Sequence, residues 1–151
     1  MNSHTIIKQI HIHAPVARVW QALTDHHQFG AWFGINLEGP FAPGKTTRGQ
    51  ITFEGYEHVL IDFMVEQLQP EQRFVYRWHP YCVDPEVDYS KETPTKVELE
   101  LSPVEKGTLL RVTESGFDKI PSHRYDEAMR MNTKGWESQL NNIAEYVTQN
   151  G

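Results

Sequence analysis

Glu114 is the residue of this 151-residue chain whose type and position most invite a chemical reading. It follows Thr108, Leu110 and Val112 at alternate positions of the stretch "TLLRVTESGF", so a strand there turns all four toward one side, that of the core. A carboxylate on such a face must be hydrogen-bonded, charge-paired or protonated. It can anchor a ligand, act as a general acid or base with a raised pKa, or make a structural hydrogen bond to backbone at the sheet edge. Asn132, between Met129 and Trp136 on the apolar stripe of a C-terminal helix, poses the same choice and could orient a ligand. Tyr76 adds a hydroxyl, and His79, in "RWHPY", falls where a cavity would have its mouth. Glu114, Tyr76 and His79 are therefore the candidate catalytic groups, although one histidine without a partner does not define an active site.

Other chemistries find less support. His11 and His13 lie two apart on one strand face, a spacing compatible with metal ligation, but that face is opposite Ile10 and Ile12 and reads as solvated. No carboxylate or cysteine completes a site, so no metal is expected. The "DHHQ" at 25–28 reads as a helix start. Cys82 lies in a loop beside acidic residues that would raise its pKa, and no G-x-S-x-G elbow is present. The "FAPGKTTRG" segment has the residue types of a phosphate-binding loop without the spacing and reads as a strand connection. No cofactor is expected.

These groups need elements to position them. "TIIKQIHIHAP" sets Ile6, Ile10 and Ile12 on one strand face and Ile7, Gln9, His11 and His13 on the other. Pro15 ends that strand and opens a helix with Val16, Val19, Trp20 and Leu23 at helical spacing. Asp25 caps a second short helix that brings Phe29, Trp32 and Phe33 together. Period-two alternation follows the turn-rich "PFAPGKTTRG": Val59, Ile61, Phe63 and Val65; Phe74, Tyr76 and Trp78; Val97, Leu99 and Leu101. Such alternation marks antiparallel strands with one covered face, joined by turns at "QPEQ" and "VEKG". The polar segment 82–94 reads as a long loop. The last helix, with Ser122 as its cap, carries a stripe of Tyr125, Met129, Trp136, Leu140, Ile143 and Val147. Gly135 sits in the same sector and costs about 1 kcal/mol relative to alanine in a helix interior. Its expected use is a close approach of the helix to the sheet or to the two short helices, with Trp136 filling the space beside it.

Composition narrows the class. The length suits one domain over residues 1–151, and 38% hydrophobic with 23% charged residues is ordinary for a globular protein. A formal net charge of −6 with scattered lysine and arginine argues against a nucleic-acid partner. One cysteine excludes an intramolecular disulfide. The N-terminal stretch has no leader pattern and no segment is apolar for long enough to span a bilayer, so a cytoplasmic protein without a membrane partner is expected.

Four stretches in this order, "IHAPVARVWQALTD", "AWFG", "VTESGF" and "GWESQLNNIAEYV", carry a resemblance over residues 8–148. The chain resembles the SRPBCC or START-like superfamily, in the family of the activator of the heat-shock protein 90 ATPase. The resemblance implies an α+β helix-grip fold: a curved antiparallel sheet gripping the long C-terminal helix, two short helices after the first strand, and an internal cavity that binds apolar or amphipathic small molecules in many relatives. The family includes chaperone co-activators and ligand carriers, and the wider superfamily includes cyclases, so fold does not select among them.

The inward faces name the expected ligand-binding residues: Trp32, Phe33, Phe53, Phe63, Tyr76, Trp78, Leu110, Glu114, Met129, Asn132 and Trp136. Aromatics at such spacing also make ordinary cores. Yet 4 Trp, 7 Phe and 6 Tyr supply more stacking surface than packing alone needs, and aromatic walls with few polar groups characterise small-molecule pockets. The expectation is a small apolar or aromatic ligand, held without being turned over. An enzyme of the cyclase or hydratase type is the alternative, and an interaction module with a chaperone partner the second. Monomer and homodimer both stay open, since edge strands could pair two subunits.

Overall fold

The computed structural model describes residues 4–149; the first three and last two residues, including part of the N-terminal stretch read above, lie outside it. Seven strands, β1 (Ile6–Ile12), β2 (Ile35–Leu37), β3 (Thr46–Ile51), β4 (Leu60–Gln69), β5 (Arg73–Trp78), β6 (Thr95–Val104) and β7 (Gly107–Ser115), form one antiparallel sheet. Their order is β1-β7-β6-β5-β4-β3-β2. Helices α1 (Val16–Thr24) and α2 (His26–Phe33) follow β1, and α3 (Ser122–Gln149) closes the chain. This is the expected helix-grip arrangement: a curved sheet, two short helices, and a long C-terminal helix.

Local chemistry sets the boundaries. Pro15 is the residue before α1 rather than its first helical residue. The Asp25 side chain accepts hydrogen bonds from the backbone N–H of His27 and Gln28 and so caps α2. Gly34 ends α2 at φ 86°, a left-handed conformation suited to glycine, and turns the chain into β2. Ser122 is the first helical residue of α3, one place later than a cap. The connection read at 41–49 is in part strand, because β3 begins at Thr46. The sharp turn between β6 and β7 requires Gly107: at φ 151° its backbone approaches Ile12 so closely that a Cβ would stand 2.1 Å from the carbonyl oxygen.

The alternation in the strands sorts most side chains as expected; in β5, Val75 is buried although it lies on the face opposite Tyr76. Thr108, Leu110, Val112 and Glu114 are all buried along β7, while His11 on β1 and His13 just after it are exposed. Along α3 the buried face is Ala128, Trp136, Leu140, Ile143 and Val147; Tyr125 and Met129 are only half-buried.

Between α2 and the sheet the interior is filled with rings. Phe29 packs against Trp32, Phe33, Phe41 and Phe63 with centroids 4.6–5.4 Å apart. Phe63 continues the chain to Tyr76 at 5.1 Å and Trp78 at 5.6 Å. These spacings and largely edge-to-face angles are those aromatic pairs favour. This half of the grip is closed packing. Within it the Tyr76 hydroxyl is fully buried and has no hydrogen-bond partner among the described residues. Burial, and then the nearby Glu114 charge, push its pKa well above the ordinary phenol range.

An unpartnered buried hydroxyl carries a desolvation penalty. Tyr76→Phe is therefore expected to keep the fold and to gain about 1 kcal/mol, read as a higher urea midpoint at unchanged slope. A lower midpoint would show that the hydroxyl has a partner in solution.

Candidate functional site

The site is assembled around Glu114, near the end of β7. β7 pairs with β6, which pairs with β5, and this register sets Trp78 opposite Thr95. Across the sheet's inner face α3 presents Asn132 and Trp136, one turn apart. All four donate to the fully buried carboxylate. Trp78 Nε1 and Thr95 Oγ1 bond Oε2 at 2.8 and 2.6 Å. Trp136 Nε1 and Asn132 Nδ2 bond Oε1 at 2.8 and 3.0 Å. Burial raises the Glu114 pKa above the ordinary carboxylate range, while the four hydrogen bonds pull it back without cancelling that rise.

Trp78 and Trp136 stack with centroids 5.7 Å apart, their indole N–H groups turned together onto Glu114. Their other surfaces face a pocket of about 340 Å³. Phe33 of α2 and Met131, Asn132, Gly135 and Gln139 of α3 line one side. Ile51 and Ile61, with Phe53, Tyr56 and Val59 of the β3–β4 connection, line another. His79, Pro80, Tyr81, Cys82 and Val83, which follow β5, form the third. The third wall is tied down at both ends. Arg124 pairs with Glu92 through Nη2 at 2.7 Å and Nε at 2.9 Å, donates to the Tyr81 carbonyl at 3.3 Å, and lies over the Tyr89 ring at 4.7 Å. On the other side His58 Nε2 reaches the Val83 carbonyl at 2.8 Å.

Of the sequence-predicted ligand residues, Phe33, Phe53, Trp78, Asn132 and Trp136 are brought together on the pocket wall, and His79 joins them. Glu114 lies behind that wall and touches it only through its donors. Trp32, Phe63, Tyr76 and Leu110 do not reach the pocket: Trp32 from α2 and the other three from their strands point inward, but at the depth of the closed core. Met129 borders a separate shallow depression with Tyr125, Thr133 and Glu137. Of the candidate catalytic trio, Glu114 and Tyr76 are thus sealed and only His79 borders the pocket, with Nε2 engaged by the Glu92 carbonyl at 3.0 Å.

Gly135 corrects the expectation of close helix packing. A Cβ placed there would meet nothing within 4 Å, so the absent side chain leaves open space in the pocket. The pocket residues missed in the sequence lie mainly in the two connections, at Tyr56, Pro80, Tyr81 and Val83, where no periodicity marks an inward face. Cys82 is held neutral: burial is the main cause that pushes its thiol up to about 11, rather than the acidic neighbours invoked above. Among the described residues no cluster of three or more His, Cys, Asp or Glu could hold a metal ion, and no helix is long and apolar enough to cross a membrane.

The fold and the pocket at the open end of the grip define a helix-grip protein, and solved structures share that fold. A protein from Mesorhizobium loti, MLL2253, superposes with TM-score 0.76 at 21% identity, covering 97% of this chain and 98% of its own. The Aha1 dimer from Colwellia psychrerythraea gives 0.71 at 21% identity, covering 95% of each chain. DynU16, a putative protein in the dynemicin biosynthetic locus, gives 0.72 at 23% identity over 97% of this chain, which spans 48% of that longer one. The chain belongs to the family described as Activator of Hsp90 ATPase homolog 1-like protein, whose model matches residues 13–148. No curated protein matches the sequence significantly.

The raised Glu114 pKa fixes a sign. The folded state holds this proton more tightly than the unfolded chain, so the contribution of Glu114 to stability falls as pH rises from the ordinary carboxylate range to its folded pKa, and is level above it. Glu114→Gln removes that slope. It also sets an amide N–H against an indole donor at either oxygen position, an expected loss of about 1–3 kcal/mol at neutral pH. Urea midpoints of both proteins across acid to neutral pH measure the two effects; parallel pH profiles would refute the first.

Proposed function

We propose that this protein binds a small apolar or aromatic molecule in the pocket between α3, the β3–β4 connection and the segment after β5, and that it does so without catalysis. The observation that carries this reading is the pocket itself: its wall is aromatic and aliphatic, and it bears no Lys, Arg, Asp or Glu side chain. Its volume falls at the lower end of the roughly 300–1,000 Å³ common for small-molecule sites. Gly135 supports the reading, because a helix interior tolerates the cost of glycine most readily where a side chain would obstruct something. Non-catalytic binding is favoured by the state of Glu114. Four donors occupy its oxygens, and no surface of it is left for a substrate.

Native mass spectrometry followed by denaturing extraction tests for a molecule carried through purification, and uptake of the neutral dye Nile red tests the pocket directly. Wild type is expected to enhance Nile red emission. Gly135→Leu, which projects a side chain into the pocket, is expected to fold and to lose that enhancement. Gly135→Ala is expected to gain about 1 kcal/mol of stability, since its Cβ meets only open space. Dye binding by Gly135→Leu equal to wild type would place the ligand elsewhere.

A further inference from the structure

The pocket's polar groups are oriented by the protein behind them, and the orientation has a direction. Trp78 and Trp136 spend their indole N–H groups on Glu114. Gln139 Nε2 donates to the Phe33 carbonyl at 3.0 Å, and the Cys82 thiol is directed at the Leu60 carbonyl at 3.7 Å. His79 Nε2 faces a carbonyl, which can only accept, so in the neutral ring Nε2 carries the proton and Nδ1 is left as an acceptor. Asn132 is the decisive group. Its Nδ2 donates to both oxygens of Glu114, at 3.0 and 3.3 Å, which fixes the amide with its nitrogen toward the carboxylate. Oδ1 is then the end left for the pocket that Asn132 lines.

Most donors on this wall are thus turned into the protein, while two acceptors, Asn132 Oδ1 and His79 Nδ1, make no bond within it among the described residues. The hydroxyls of Tyr56 and Tyr81, on partly exposed rings, can give as well as accept, and Gln139, whose Oε1 accepts from Asn142 at 2.9 Å, keeps a second amide N–H. No cationic side chain lines the pocket, and the chain's net charge is −6. A carboxylate or phosphate entering here would lose water and gain no cation.

From this we infer that the pocket selects a neutral aromatic molecule bearing a hydrogen-bond donor, such as a phenolic hydroxyl, which it gives to Asn132 Oδ1 while the ring lies against Trp78 and Trp136. The inference rests on the small-ligand reading proposed above and adds the polarity of the ligand to it. Glu114 acts in it as a positioning residue: it never meets the ligand but determines which end of the Asn132 amide does.

Three probes of one shape decide it: β-naphthol, its methyl ether and β-naphthoate, each measured by equilibrium dialysis against wild type at one fixed pH. The naphthol is expected to bind about five- to tenfold tighter than the ether, the worth of one hydrogen bond, and the naphthoate more weakly than either. In Asn132→Leu, the naphthol-to-ether ratio is expected to fall to about one while binding of the ether persists. That ratio is a readout that a merely structural role for Asn132 would leave unchanged. An ether as tight as the naphthol, or a naphthoate tighter than both, would overturn the inference and leave the small-ligand reading standing. Failure of all three to bind, together with no uptake of Nile red, would overturn both.

Discussion

The carboxylate of Glu114 is the constraint around which the open end of the grip is organised. A carboxyl group with no access to water is tolerated only when its oxygens are engaged, and here the engaging groups come from β5, β6 and two successive turns of α3. Satisfying one side chain therefore fixes the end of the sheet against the middle of the helix. Two large indole rings are held by both their polar and apolar parts, which few hydrophobic contacts alone would do with the same directional control. The pocket begins where this cluster ends, so its back wall inherits rigidity from a residue that takes no part in it.

The opposite wall is built differently. The segment after β5 has little secondary structure beyond a short turn at Tyr89–Lys91, and it is held by the largely buried Arg124–Glu92 pair and by contacts on either side. Breaking one partner of such a pair strands the other, so these polar contacts hold the segment in place alongside the packing of Tyr81, Cys82 and Val83 against the core. The site thus combines a wall fixed by the core with a wall tethered over it, a division common where a rigid scaffold carries binding residues on connecting segments.

Much of the fold was legible because its periods are clean. Alternation in β6 and β7 sorted inward from outward residues, and it gave the direction of Glu114 before any partner was known. What a period of two cannot give is depth: Tyr76 and Trp78 point the same way from neighbouring positions, yet one is sealed in the core and the other faces the pocket. β2 was missed because three residues are too few to show a pattern. Tyr81 and Val83 were missed because loop residues have no pattern to show. Gly135 could be recognised as anomalous from its place in a helix, but spacing cannot distinguish a glycine that admits a neighbour from one that leaves a void. The dual engagement of Glu114 by two tryptophans was outside the reach of the sequence for a related reason: it depends on which residues of two strands and a helix, far apart in the chain, end up side by side.

The stacked indoles of Trp78 and Trp136 give the molecule an optical property of its own. Two identical chromophores 5.7 Å apart at an interplanar angle of 29° share their excited states, and a chiral environment imposes a sign on that sharing. The bands this pair contributes to the circular dichroism spectrum are sensitive to the separation and relative orientation of the two rings. The protein therefore reports the state of its back wall without a label, and any disturbance there, from loss of the carboxylate's proton balance to arrival of a third ring, is written into its spectrum.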